Sequence, residues 1–177
     1  DLFARICTYF GAHGFSIQDC RIHTTRTGYA LDSFIVLPID TTDDLRTQAT
    51  LIEHELALSL NNTSENTQSL KGYIGIRPSR ISKVFPVPPV VELHPDEGSQ
   101  NWRLDLIATD RPGLLGDIAQ VFVANDVDLQ TAKVMSLGDR VEVVFVIRGE
   151  KLYHPRTQRQ FERALLDAIT QEKSHVS

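Results

Sequence analysis

The chain has 177 residues, a formal net charge of −5 at pH 7 and two cysteines. This length allows one large domain or two small ones with separate cores. The acidic balance, without a basic run carrying interleaved aromatics, argues against a nucleic-acid surface. No apolar stretch approaches the roughly 20 residues that span a bilayer, and the first residues lack a signal peptide's basic start. Because the cysteines form no CxxC pair, we expect a reducing, cytoplasmic setting.

The first elements in the chain are a helix and a strand. Apolar residues recur at helical spacing from Leu2, and a two-residue period typical of a strand starts at Phe15. Within this strand the apolar parity changes between Ile17 and Cys20. A change of parity inside one strand predicts a β-bulge.

A hairpin and a second helix follow. Gly28 is the predicted turn glycine, and the second strand of the hairpin covers 29–39. An apolar stripe over 45–60, behind a Thr42-Asp43-Asp44 start, predicts the helix. The polar residues 61–72 are predicted to be a mobile connection.

An apolar segment rich in proline, residues 83–95, leads into the second half of the chain. Proline cannot donate to a hydrogen-bond ladder, which favours the edge of a sheet. We interpret about 83–93 as an edge strand that closes the sheet of the first unit.

The second half begins with a strand that stops abruptly. Every second residue from Trp102 to Ala108 is apolar, and the run breaks at Asp110 before an apolar helical pattern. Pro112 suits the first position of a helix, and Gly113 carries no side chain. Such a junction points unpaired backbone N–H groups outward, so a small anion or carboxylate can bind there.

The two halves repeat one pattern at a spacing of 112 residues. The matching pairs are Leu2 with Leu114, Ile6 with Ile118, Phe10 with Phe122, Ala12 with Ala124 and Gln18 with Gln130. The parity change recurs between Leu129 and Ala132, and the turn glycine recurs at Gly138. Because a shared irregularity is harder to obtain by chance than shared hydrophobicity, we infer two homologous units.

The order of elements in the second unit indicates its fold. A strand, a helix and two strands, the last over 140–149, precede a final helix with Phe161 and Leu165 in its apolar stripe. With a fourth strand this is a ferredoxin-like α+β arrangement, an antiparallel sheet with helices on one face. We assign residues 1–95 to the first unit and 100–177 to the second. We expect the opening strand of the first unit and the closing strand of the second to be missing.

These patterns resemble the ACT domain. The segments "DRPGLLGDIAQVF" and "AKVMSLGDRVEVVFVI" are similar to the second of the tandem C-terminal ACT domains of bifunctional uridylyltransferase/uridylyl-removing enzymes. The segment "DLFARICTYFGAHGFSIQDCRIHTTRTGYALDSFIV" is similar to the first copy. The resemblance covers essentially the whole chain and implies two ferredoxin-like βαββαβ ACT domains.

The same resemblance implies a regulatory role. In that family the ACT pair senses glutamine and shifts the enzyme between uridylylation and deuridylylation of the PII signalling protein. Catalysis belongs to upstream domains, where Mg²⁺ is the expected cofactor, and this fragment is expected to hold no catalytic residue, metal or cofactor. The implied partners are glutamine, the upstream domains, PII and ACT units paired within or between chains, with neither nucleic acid nor membrane.

The ligand hypothesis concerns the turn between the strand and the helix. The helix N-terminus receives the carboxylate of glutamine, and Asp110 meets its ammonium group. The predicted ligand-binding residues are Asp110, Arg111, Pro112, Gly113, Leu114, Leu115, Gly116, Asn125 and Asp128, with His13 and Ser16 as weaker candidates in the first copy. The first copy is weaker because Asp1 and Ala4 stand where the second has Gly113 and Gly116.

Each candidate has a structural alternative. Asp110 can cap the helix while the glycines serve packing, and Asn125, Asp128, His13 and Ser16 can cap helix ends or form turns. The two cysteines match alanines of the other copy and are interpreted as buried fillers. The charged residues of the last helix are interpreted as a solvated face. Two other functions stay open: a docking or dimerisation module without ligand, and a stand-alone ACT regulator of another amino-acid pathway.

Overall fold

The protein is an α+β structure, described here by a computed structural model for residues 2–24, 30–39, 45–61 and 87–170. The helices in these ranges are α1 (Leu2–Ala12), α2 (Leu45–Asn61), α3 (Leu114–Ala124) and α4 (Pro155–Thr170). The strands are β1 (Phe15–Thr24), β2 (Ala30–Pro38), β3 (Val90–Pro95), β4 (Trp102–Thr109), β5 (Asp128–Leu137) and β6 (Arg140–Arg148). A short 3₁₀ turn, Glu150–Tyr153, precedes α4. The predicted Gly28 turn, the Thr42-Asp43-Asp44 start and residues 62–72 of the predicted connection lie outside the described residues, whereas Asn61 is the last residue of α2.

All six strands form one antiparallel sheet in the order β2-β1-β5-β6-β4-β3. Alternate residues of β4 and β6 are buried, and they share one hydrophobic core with residues of α1, α3 and α4. Phe122 of α3 links the layers, since its ring lies 5.1 Å from Phe145 of the sheet and 5.9 Å from Phe161 of α4. The helices therefore cover one face of the sheet, in an arrangement compatible with two ferredoxin-like ACT units.

The predicted bulge is present in both copies. The register between β1 and β2 shifts between Ile17 and Asp19, and the register between β5 and β6 shifts between Leu129 and Thr131. The two shifts lie at equivalent positions of the repeat, around Gln18 and its counterpart. The bulges predicted from the sequence are therefore confirmed, and their common position agrees with the inferred duplication. The turn glycine of the second hairpin is also confirmed, with φ 63° at Gly138.

The two units join through β1 and β5. Arg21 lies opposite Lys133, its own equivalent in the repeat. Cys20 faces Val134 and Ile22 faces Ala132, so each pair exchanges equivalent positions. This register relates the units by a pseudo-twofold axis, as in an isologous dimer interface.

Helices α1 and α3 cross close together above this strand pair. A Cβ atom at Gly116 would lie 3.3 Å from the Oγ1 atom of Thr8 and 3.5 Å from its backbone. Gly116 therefore serves the approach of α1, as the packing alternative predicts.

The proline-rich edge strand pairs differently from the prediction. Val90–Pro95 lies at an edge as expected, but it pairs with β4 of the second unit. A short connection favours this pairing, since the N–H of Asp96 donates to the carbonyl of Asn101 across the turn. The prediction that it closes the sheet of the first unit is therefore corrected, and β3 occupies the place of a closing strand in the second unit.

The last helix is amphipathic. Its apolar side chains Phe161, Leu165 and Ile169 are buried. Most of its charged side chains are exposed to solvent, among them Arg156 and Arg159. None of the helices in the described ranges has both the length and the apolar character needed to cross a bilayer.

Candidate ligand-binding site

The turn between β4 and α3 is held by main-chain hydrogen bonds. The N–H of Asp110 donates to the carbonyl of Asp139 at 2.8 Å, and the N–H of Leu114 donates to that of Arg111 at 3.2 Å. Helix α3 starts at Leu114 behind Gly113, whose φ of 79° is left-handed. The prediction that Pro112 is the first helical residue is thus corrected by two positions, because glycine reverses the chain there before the helix begins.

A solvent-open cleft lies where this turn faces the first unit. Its void measures about 340 Å³ only when the open solvent in front of it is included. Its lining combines the turn with the end of α1, the start of β1 and one residue of β6: Cys7, Gly11, Phe15, Ser16, Ile17, Asp110, Arg111, Pro112, Gly113, Leu114, Leu115 and Val141. The wall of the cleft is therefore built from both units.

Asp110 is the acidic group of this cleft. Its side chain is half-buried and accepts hydrogen bonds from the hydroxyl of Ser136 and the backbone N–H of Arg111. Burial, and to a lesser extent the charge of Asp139, raises the pKa of Asp110 above 3.8 despite those hydrogen bonds. The N-cap position of α3 is Gly113, which has no side chain, and the backbone N–H that bonds to the Asp110 carboxylate is that of Arg111, before the helix starts. A cation that enters the cleft, such as an ammonium group, would stabilise the charged form of this carboxyl group.

Arg111 contacts the protein with both terminal nitrogens. Its Nη1 lies 2.8 Å from the Oδ2 atom of Asp117, and its Nη2 donates to the carbonyl of Ala168 at 2.8 Å. The side chain therefore ties the turn to α3 and α4.

Of the remaining predicted residues, those of the turn up to Leu115 and Ser16 line the cleft, whereas Gly116, Asn125, Asp128 and His13 do not. The amide of Asn125 donates to the carbonyl of Val121 at 2.8 Å and ends α3, as the capping alternative predicts. Asp128 is exposed and lies opposite Arg148. The ring of His13 contacts the carbonyl of Tyr9 at 2.8 Å at the end of α1.

The pseudo-twofold axis explains this distribution. The β4–α3 turn of the second unit faces the start of β1 in the first unit, so Ser16 and Gly113 line the same cleft. Asn125 and Asp128 are the counterparts of His13 and Ser16 in the repeat, so they lie where α3 ends and β5 starts, away from this turn. The two sets of candidates therefore belong to two different positions.

Several residues of the cleft were missed from the sequence. Cys7, Gly11, Phe15 and Ile17 come from the first unit, and the repeat spacing gives no information on which surfaces of two units meet. The interpretation of the cysteines as buried fillers is confirmed, since Cys7 and Cys20 are 1% and 0% exposed. Burial raises the pKa of both thiols, that of Cys20 to about 12.

Ser136 was also missed. Its hydroxyl has two acceptors within reach, the carboxylate of Asp110 and, at 3.4 Å, the carbonyl oxygen of Ile17 in the first unit, and it donates its single proton to one of them at a time. Within the described ranges, no group of three or more His, Cys, Asp or Glu side chains is arranged to hold a metal ion.

Two α+β units in one sheet, with a cleft at their junction, are compatible with a tandem module of ferredoxin-like ACT domains. No family model matches the chain. Curated relatives named bifunctional uridylyltransferase/uridylyl-removing enzyme do match it. The relative from Bordetella avium is 56% identical over 97% of this chain, and that from Bordetella pertussis is 54% identical over 96%. The relative from Burkholderia orbicola is 43% identical over 96%.

The chain spans about a fifth of the length of these relatives, 20%, 20% and 19% respectively. It is thus homologous to one segment of the bifunctional uridylyltransferase/uridylyl-removing enzymes, and the resemblance stated from the sequence is confirmed.

Proposed function

We propose that this chain is the glutamine-sensing regulatory region of a cytoplasmic uridylyltransferase/uridylyl-removing enzyme. Glutamine bound at the junction of the two units shifts the enzyme between uridylylation and deuridylylation of PII. Mg²⁺ and the catalytic groups belong to other domains of the enzyme. The homology to one segment of such enzymes supports this assignment.

The cleft at the β4–α3 turn is the observation that carries the proposal. A free amino acid has a carboxylate and an ammonium group a few bonds apart. The start of α3 offers the N–H groups of a first helical turn and the positive end of the helix dipole to the carboxylate. Asp110, half-buried beside them, offers a negative charge to the ammonium. The two ends of an amino acid are thus matched by neighbouring groups of opposite character.

The position of the cleft also supports a regulatory role. Its lining includes Ser16 and Ile17 of the first unit and Asp110 of the second. A ligand that contacts both units binds most tightly at one relative position of the two, and so favours that position. In the full-length enzyme we expect a coupling free energy of about 1–3 kcal/mol between this cleft and the catalytic domains.

Calorimetry on the full-length protein tests the proposal. We expect saturable glutamine binding, and Asp110→Ala should weaken it about tenfold to a hundredfold, since a charge-assisted hydrogen bond contributes about 1.5–3 kcal/mol. The matched control is Asp105→Ala in β4, the strand that leads into the turn; the carboxylate of Asp105 pairs with Arg103 at 2.8 Å and does not line the cleft. The control should bind glutamine like the unsubstituted protein.

Unchanged affinity in Asp110→Ala would remove this carboxylate from the site. Absence of any glutamine binding by the unsubstituted protein would favour a docking module without ligand. Tighter binding of a different amino acid would favour a regulator of another pathway.

A further inference from the structure

Arg111 connects the candidate turn with the far end of the last helix. Its side chain is only 22% exposed and holds two partners at once. One terminal nitrogen pairs with Asp117 in the first turn of α3, and the other donates to the carbonyl of Ala168 in the last turn of α4. A single guanidinium group therefore joins three elements.

The backbone of the same residue shapes the candidate site. The N–H of Arg111 donates to the carboxylate of Asp110, and its carbonyl accepts from the N–H of Leu114. Any displacement of the turn on binding therefore moves the base of the Arg111 side chain. The planar fork of the guanidinium passes such a displacement to both of its partners, because its donors have fixed relative directions.

The partner on α4 is placed to respond. Ala168 lies in the last described turn of α4, Pro155–Thr170, and its carbonyl oxygen accepts from the Nη2 atom of Arg111 at 2.8 Å. The hydrogen bond from Arg111 satisfies this carbonyl and stabilises the last turn of α4. Loss or gain of this bond changes how often that turn opens.

We propose that Arg111 is a positioning residue that couples occupancy of the cleft to the C-terminal turn of α4. The inference rests on the proposed function, because it takes glutamine as the ligand of the cleft. It assigns to Arg111 a role distinct from direct ligand binding: its backbone holds the site, and its side chain reports the state of the site to α4.

Hydrogen–deuterium exchange on the full-length protein, with and without glutamine, tests the coupling. In the unsubstituted protein, glutamine should change the exchange of the amides at 166–170. In Arg111→Gln the change at 166–170 should disappear, although the amides of the turn still respond to saturating glutamine. Arg111→Lys, which retains one charge without the fork, should restore less than the full response. The control Arg103→Gln removes an exposed ion pair on the other face of the sheet and should leave the response intact.

The possible failures are distinct. If the unsubstituted protein binds no glutamine, the proposed function and this inference fall together. If glutamine binds and protects the turn but exchange at 166–170 does not change, only the coupling is overturned. An equal response at 166–170 in Arg111→Gln and in the unsubstituted protein also overturns it, since a purely structural role for Arg111 predicts that result.

Discussion

Gly113 provides the sharpest test of the candidate site, because its backbone is left-handed and it lines the cleft. A residue with a Cβ in this region costs roughly 1–2 kcal/mol, of which the lower entropy of the unfolded chain offsets about 0.4–1 kcal/mol. Gly113→Ala should therefore lose about 1 kcal/mol of stability, a fall of roughly 2–4 °C in Tm for a chain of this size. If relaxation of the turn displaces its N–H groups, glutamine affinity should also fall about tenfold, or 1.4 kcal/mol.

The matched control is Gly98→Ala. Gly98 also has a positive φ, 83°, and a Cβ there would meet nothing within 4 Å. It lies in the connection from β3 to β4, at the opposite end of β4 from the cleft. Urea unfolding and calorimetry on both variants should show similar losses of stability but weaker glutamine binding only in Gly113→Ala. Equal affinity in both variants would refute the placement of the ligand at this turn, and an undiminished stability of Gly113→Ala would refute the argument from the left-handed backbone.

Three further predictions concern the surroundings of the cleft. Burial raises the pKa of Asp110 above 3.8, so the carboxyl group of Asp110 binds a proton more tightly in the folded protein than in the unfolded chain. The stability that this proton contributes is present below the unfolded pKa and is lost as pH rises through the folded pKa. Asp110→Asn should thus be more stable than the unsubstituted protein at pH 7, with a gain that shrinks towards pH 4 in urea unfolding; a gain independent of pH would contradict the assignment. Cys7 and Cys20, both buried with raised thiol pKa values, should resist iodoacetamide at pH 8 until urea unfolds the chain, and rapid native labelling would show that they are accessible. Gly116→Ala should leave Tm nearly unchanged, because a gain in helix propensity of up to about 1 kcal/mol opposes the close contact with Thr8. The bulkier side chain in Gly116→Val should push α1 away from α3 and lower Tm. Equal Tm values for the two variants would contradict the close crossing of the helices.

The local architecture could be predicted from the sequence because it depends on periodicity. The change of parity after Ile17 and again after Leu129 located both bulges, and glycine at 138 located a turn with positive φ. Each of these features is determined by a few neighbouring residues, because the alternation of side chains along a strand directly reflects which of its faces is buried.

Features that depend on distant pairing could not be predicted in the same way. The prolines around Val90 mark an edge strand, but either unit offers an edge that such a strand can join. The segment pairs with β4, the strand to which a short connection joins it. The start of α3 was misplaced because Pro112 has the preference of a first helical residue, whereas Gly113 reverses the chain immediately after it. The wall of the cleft around Phe15 required knowledge of how the units meet.

The junction of the units gives the proposed sensor a physical basis. The cleft has walls on both sides of the contact made by β1 with β5 and by α1 with α3. A site within one unit would bind its ligand equally well at any relative position of the two, and such a ligand could not shift their equilibrium. A site that spans the junction has an affinity that depends on the relative position. Linkage is reciprocal. If glutamine favours one relative position of the units by a certain factor, another domain of the full-length enzyme that holds the units in that position raises glutamine affinity by the same factor.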